Sequence, residues 1–341
     1  MSKVYFSSLL ILTILFGCSV GKGKDYLKIN KVLETYKYTD SSCYSRAIAV
    51  NNGFLFIANS NGKVIKTDLV KKVSTELKEE GNCEELRDIA VIEDRIYAMQ
   101  SGETGKVIEF FQTADHQNTL EYSFWKGVFL DGMDFYKKTG FIMGDPINGY
   151  FSLYHTKDGG NKWVECVGKV KANNGEAGYA ASGTNVQVLN DSTFFFASGG
   201  SKNRFFKTTD CGKTWYFTEL PFNTGEVIGC FSICFKNENE GIAVGGDHNN
   251  PLNTSKTCFY TSDGGITWTE SLIGIRGFRS CLLFKNGIYY SCGKNGIDYS
   301  NDNGVSWKPF ADGNFFAMTS DKKYLYATTT NASFVKIKLV Q

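Results

Sequence analysis

The sequence predicts an all-β chain whose strands form seven blades around a closed ring, a β-propeller. Three observations carry this expectation. Short runs of alternating apolar and polar residues are bounded by Gly, Asn and Asp, and hardly any window beyond the N-terminal run shows a helical period. The runs recur as seven units whose starts lie about 35 to 55 residues apart, the spacing of a four-stranded blade. Four units also carry the pattern [ST]-x-D-x-G-x-x-W, as "TKDGGNKW" (156–163), "TTDCGKTW" (208–215), "TSDGGITW" (261–268) and "SNDNGVSW" (300–307). The first two units lack it and are harder to delimit, so six and eight blades are the alternatives.

Each unit opens with an innermost strand: "RAIAV" (46–50), "RDIAV" (87–91), "DGMDF" (131–135), "TNVQV" (184–188), "FSICF" (231–235), "RSCLL" (279–283) and "FAMTS" (316–320). Second strands follow after tight turns, among them "GFLFIAN", "TFFFASGG" and "GIAVGGD". The last unit has three strands and ends in "FVKIKLV" (334–340). The N-terminal "VLETYKY" (32–38) belongs to no unit, so it is expected to supply the missing outer strand and close the ring, leaving no unpaired edge.

The repeated pattern marks the reversal from third to fourth strand. Its Asp and Ser/Thr side chains accept backbone N–H bonds within the turn, its Gly takes a positive φ, and its Trp buries a ring between sheets. These roles fall to Thr156, Asp158, Gly160 and Trp163; Thr208, Asp210, Gly212 and Trp215; Thr261, Asp263, Gly265 and Trp268; and Ser300, Asp302, Gly304 and Trp307. One Asp per turn supplies too few oxygens for calcium, and four copies around a ring do not converge on one site.

At the N-terminus, Lys3 and the apolar run "VYFSSLLILTILFG" read as a signal peptide over 1–17, ending in "LFGC". The small Gly17 before Cys18 resembles a bacterial lipobox, which implies lipidation of Cys18. Residues 18–30 then form a lipidated tether and 31–341 the propeller domain. Ser19 after the lipidated cysteine implies an outer-membrane lipoprotein facing the periplasm or the cell surface. Such a compartment lets disulfides persist. Nine cysteines remain besides Cys18, so at least one thiol stays unpaired. A two-residue Asn286-Gly287 turn sets Cys281 opposite Cys292 as a candidate bridge, while Cys230 and Cys234 are expected as small core residues on one face of a strand.

The four turns resemble the BNR or Asp-box repeat shared by sialidases, sortilin-type receptors and propellers similar to the photosystem II stability and assembly factor. Stretches between them, "TGFIMGDPINGYF" (139–151), "GEAGYAASGT" (175–184), "GIAVGGDHNNP" (241–251) and "GFRS" (277–280), are similar to bacterial relatives of the last group, within the YVTN/WD40-like repeat proteins. The resemblance implies an exported or lipid-anchored scaffold or assembly factor.

Propeller topology puts the starts of the innermost strands and the loops between second and third strands on one face, opposite the Asp-boxes. Arg46, Arg87 and Arg279 share one first-strand position, with Asp131 at the same position in a fourth unit. The chain has only six arginines, so this grouping stands out. Neighbouring loops add Asp145, Asp247, His248 and Glu176. Arginines beside carboxylates either hold a ligand's carboxylate or pair with each other to keep blades in register.

Charge is balanced at 37 basic and 35 acidic side chains, which excludes a dedicated polyanion binder and predicts no nucleic-acid partner. Three histidines lack zinc spacing, and there is no P-loop, dinucleotide fingerprint or Gly-x-Ser-x-Gly elbow, so no metal or cofactor is expected. The reading is a monomeric, non-enzymatic scaffold, tethered to a membrane through Cys18, that binds a protein or glycan across its funnel face, with no catalytic residue assigned. The alternative is a sialidase-like or other glycoside hydrolase or lyase using carboxylates among Asp131, Asp145, Glu176 and Asp247, although the Arg-Ile-Pro motif of sialidases is absent.

Overall fold

The computed structural model describes residues 32–36, 43–78, 84–102, 105–111, 117–120, 125–331 and 333–339; the expected signal peptide, the lipidation site Cys18 and the tether 18–30 lie outside them. Seven antiparallel sheets make seven blades. Their innermost strands are Ala47–Asn51, Leu86–Ile92, Leu130–Tyr136, Val186–Val188, Ile228–Phe235, Cys281–Lys285 and Met318–Ser320, in the seven places the sequence predicts. Blade 7 is completed as expected, because Val32–Tyr36 pairs antiparallel with Phe334–Lys338. The Tyr36 ring stacks on Phe334 at 4.4 Å, and Glu34 accepts from Lys72 Nζ of blade 1 at 3.0 Å. One further addition is local: Glu176–Ala177 and Gly199–Gly200 add two short strands to the sheet of blade 5.

The core is a cycle of layers, because alternate side chains of a strand point to opposite faces of its sheet. In blade 4, Phe194 and Phe196 pack toward blade 3 with Phe141 and Phe151, while Phe195 and Ala197 pack toward blade 5 with Ile233 and Phe259. The same arrangement repeats at every junction, including the closure from Tyr326 and Phe334 of blade 7 to Ile48, Leu55 and Ile57 of blade 1.

The four repeated turns are alike in detail. Thr156, Thr208, Thr261 and Ser300 each donate to the following Asp at 2.7–2.8 Å and accept the Gly N–H at 2.9–3.2 Å. Asp158, Asp210, Asp263 and Asp302 each accept a backbone N–H four residues on at 2.9–3.0 Å. Partial burial opposes the charge on Asp210 and Asp263, but bonds from Thr214 and Thr208, and from Thr267 and Thr261, bring both carboxyls down to about 2. The glycines carry a second constraint beyond φ values of +77° to +90°: a Cβ on Gly160, Gly212, Gly265 or Gly304 would lie 2.3–2.8 Å from Tyr97, Cys166, Phe205 or Ile242 of the preceding blade. Trp163, Trp215, Trp268 and Trp307 pack into the same inter-blade layers.

The Asn286-Gly287 turn sets Lys285 opposite Ile288 and Cys281 opposite Cys292, and both cysteines are free thiols. One expectation is corrected. Cys230 faces the layer between blades 4 and 5 and Cys234 the layer between blades 5 and 6, because a β-bulge between Cys230 and Ser232 reverses the alternation.

Candidate functional site

The starts of the innermost strands are irregular in a consistent way. Register shifts between Leu86 and Asp88, Leu130 and Gly132, and Cys230 and Ser232 leave Arg87, Asp131 and Phe231 as the extra residues of three β-bulges. A bulge frees its residue from strict alternation and re-aims the side chain. The position singled out in the sequence is therefore a distorted one in blades 2, 3 and 5.

Arg46 and Arg87 come together around Glu85. Arg87 Nη2 donates to Glu85 Oε2 at 2.8 Å, whereas Arg46 Nε stands 3.7 Å from Glu85 Oε1, beyond hydrogen-bond reach. Tyr44 lies against the same carboxylate; burial first, then the Glu85 charge, raises its hydroxyl above the ordinary range. The Arg46 guanidinium lies over the Tyr44 ring at 5.2 Å and that of Arg87 over Phe129 at 5.4 Å, so each planar cation rests on an aromatic ring. Burial and the neighbouring Arg87 lower the Arg46 guanidinium. Among the described residues, Arg46 Nε, Arg87 Nε and Glu85 Oε1 are buried atoms without a hydrogen-bond partner. The three side chains nonetheless keep 19–25% of their surface open to solvent.

Beside this arc, residues 176–184 cross the axis. From blade 4 the segment reaches blades 2, 3, 5 and 6: Gly183 lies on Asp88, Gly178 on Asp131, the Tyr179 ring stacks on Phe231 at 4.1 Å, and Ser182 Oγ donates to the Ser280 carbonyl at 2.6 Å. Thr184 and Ser232 hydroxyls bond at 2.6 Å. Small residues permit the crossing, since a Cβ on Gly178 would sit 2.4 Å from the Asp131 carboxyl carbon and one on Gly183 2.2 Å from that of Asp88. The segment stoppers the channel. On the strand-start side it leaves a void of about 20 Å³ among Arg46, Ala181, His248, Phe278 and Lys294. The larger axial cavity, about 340 Å³, lies along the middle and far ends of the innermost strands and is lined by Asp134, Gln187, Lys236 and Phe284, among others.

The remaining predicted residues are placed as follows. Asp131 is fully buried beneath Gly178; burial, then the charge of Asp145, pushes its carboxyl well above the ordinary range, and neither oxygen has a hydrogen-bond partner among the described residues. Asp145 accepts the Gly178 N–H at 2.9 Å and is itself raised by burial. Glu176 is clasped by Arg204 through two bonds of 2.6 and 2.7 Å and by Asn173. Asp247 binds the N–H groups of Asn249 and Asn250 in its own turn. His248 packs edge-on to Phe278, and Lys294 Nζ lies 3.3 Å from its Nε2; burial and then the Lys294 charge lower its imidazole. Arg279 does not join Arg46 and Arg87, because it is fully buried in blade 6 against Asp298 and the carbonyls of Arg276 and Phe278.

Sequence reasoning missed Tyr44, Glu85, Phe129, Lys294 and the partners Arg204 and Asp298. A signal existed for two of these, since Tyr44 and Glu85 stand two residues before Arg46 and Arg87 and so share their side of an extended chain. It also missed a girdle of side chains that each bind the backbone of the next blade. Asp88 accepts the Met133 N–H at 2.6 Å, Asp134 the Val188 N–H at 2.7 Å, Gln187 the Phe235 N–H at 2.7 Å, and Ser232 the Leu282 N–H at 2.9 Å.

No family model matches the chain, and no curated protein matches it. Solved structures do. The WD40 β-propeller domain of Doa1 superposes with a TM-score of 0.66 at 12% identity, over 92% of this chain and 97% of that one. A chain of the mitotic checkpoint complex gives 0.66 at 8%, over 98% and 100%. A catalytically inactive virginiamycin B lyase from Staphylococcus aureus with quinupristin gives 0.59 at 12%, over 90% and 99%. At such identities the likeness is one of fold, and it agrees with the β-propeller that the seven sheets form.

Proposed function

We propose that the chain is an exported, lipid-anchored propeller that binds a protein or glycan partner across the face on which its innermost strands begin. The carrying observation is the arc of Tyr44, Arg46, Glu85, Arg87 and Phe129, in which buried polar atoms short of partners belong to charged side chains that keep 19–25% of their surface open beside a stoppered axis. Buried charges without full pairing are costly, and a ligand that completes them gains accordingly. The similarity to a WD40 propeller domain and to a chain of the mitotic checkpoint complex supports the scaffold reading by analogy of fold. The repeated turns and the stretches between them support kinship with Asp-box propellers similar to the photosystem II assembly factor, and the lipobox-like "LFGC" supports an outer-membrane lipoprotein.

The glycosidase alternative has less to stand on. Asp131 is covered by Gly178, Glu176 is held in a bidentate pair, and Asp247 is engaged within its own loop. The test is a photoreactive amino acid placed at Lys126, on the strand-start face, or at Lys213, in a repeated turn on the other face, in cells that make the protein. Discrete adducts from position 126 that disappear when Arg46 and Arg87 are both alanine are expected. Adducts from 213 alone, or adducts indifferent to the arginines, would sink the reading.

A further inference from the structure

The arc holds two guanidinium groups and one carboxylate, and that carboxylate satisfies only one of them. Glu85 bonds Arg87 at 2.8 Å but leaves Arg46 at 3.7 Å, and its own Oε1 goes without a hydrogen bond among the described residues. The donors around it are fixed from behind, because the Tyr44 and Phe129 rings support the two guanidinium planes. Glu85 itself precedes the strand that starts at Leu86, so its side chain can leave the arc without breaking a ladder bond. The arrangement has the composition of a carboxylate fork with a surplus positive charge, already half filled from within.

We propose that Glu85 is a built-in occupant of an anion seat formed by Tyr44, Arg46 and Arg87, and that the seat's external ligand is a carboxylate side chain on an acidic peptide segment of the partner. The proposal rests on the strand-start face being the partner face and adds the chemistry recognised there. A carboxylate is assigned because the group already in the seat is one. Glu85 then sets affinity by competition: an incoming carboxylate either displaces it or shares Arg46 with it, and removing the Glu85 charge opens the seat.

The experiment uses the full chain in detergent micelles and fluorescein-labelled hexaglutamate and hexaglutamine peptides, followed by anisotropy at low ionic strength. Glu85→Gln is expected to bind hexaglutamate about tenfold more tightly than wild type, and Arg46→Ala or Arg87→Ala at least about tenfold more weakly. Arg87→Lys keeps the charge but loses the fork, so it is expected to fall with the alanine variants. Thermal melting of each variant confirms folding, and Glu85→Gln carries the decisive sign, since a damaged fold would weaken binding rather than strengthen it. Equal or weaker binding by Glu85→Gln, full binding by the arginine variants, binding of hexaglutamine, or displacement by inorganic phosphate at lower concentration than by glutarate would each overturn the proposal. Arginine-dependent photoadducts at position 126 without a hexaglutamate response would remove this inference alone, whereas loss of the adducts would remove the partner reading beneath it.

Discussion

At the rim, the turns of blades 3 to 6 repeat one set of bonds, with each Ser/Thr hydroxyl 2.9–3.2 Å from a Gly N–H and each Asp binding the backbone four residues on. At the axis, the equivalent first-strand positions hold Arg46, Arg87, Asp131, Thr184, Phe231, Arg279 and Phe316, and no two of them have the same surroundings. Every rim turn solves the same local problem, reversing the chain against the preceding blade. Residues near the axis meet across the ring, so each one's environment depends on blades far away in sequence. Repetition therefore marks stability here, and the proposed partner face lies where repetition is lost.

The largest loss is expected in the buried polar network behind the axial segment. Arg204→Ala leaves the Glu176 carboxylate without its bidentate partner at a site where Glu176 is 3% exposed, and a loss of ~3–5 kcal/mol is expected in chemical denaturation. The rim is expected to respond less but uniformly. Alanine at Gly160, Gly212, Gly265 or Gly304 forces both a positive φ and a Cβ against the preceding blade, for about 2–3 kcal/mol in each of the four variants. A spread as wide as the mean among the four melting curves would show that the turns are not equivalent.

Acid–base behaviour sharpens the contrast. Burial raises the Asp134 carboxyl to about 6, so its contribution to stability is complete below the unfolded value near 3.8 and is lost as pH rises through about 6. Wild type should therefore lose of order 2 kcal/mol between pH 4 and 7 from this group, and Asp134→Asn should flatten that slope in pH-dependent melting. At the rim the sign is opposite: Asp210 and Asp263, brought down to about 2, stabilise above pH 4 and cease to do so as pH falls through 2. The smallest effect is expected at Asp131→Asn. Burial and the Asp145 charge push that carboxyl toward its neutral form, so an amide of the same shape should change stability by less than about 1 kcal/mol. A large loss on calorimetry would mean that Asp131 is ionised in the fold.

Blade number, the innermost strands and the closing N-terminal strand were legible because they follow from alternation and turn residues, which act over a few positions. Val32–Tyr36 was readable as the partner of Phe334–Lys338 because the last unit lacked an outer strand. The site was legible only in part. Arg46 and Arg87 do meet, but Arg279, at the same register position, turns to Asp298 of its own blade, and Glu176 turns to Arg204. Nothing local distinguishes these fates.

The sequence by itself determined the ring, its seven layers and the turns that fasten its rim, since period-two alternation and Gly-Asp turn chemistry are properties of short segments. Tertiary structure alone decided which charges meet. Three bulges shift the register at Arg87, Asp131 and Phe231, and one glycine- and alanine-rich segment, 176–184, crosses the axis. The crossing joins residues up to 98 positions apart, and charge pairing beside it is set by the distances that ring closure imposes rather than by any spacing along the chain.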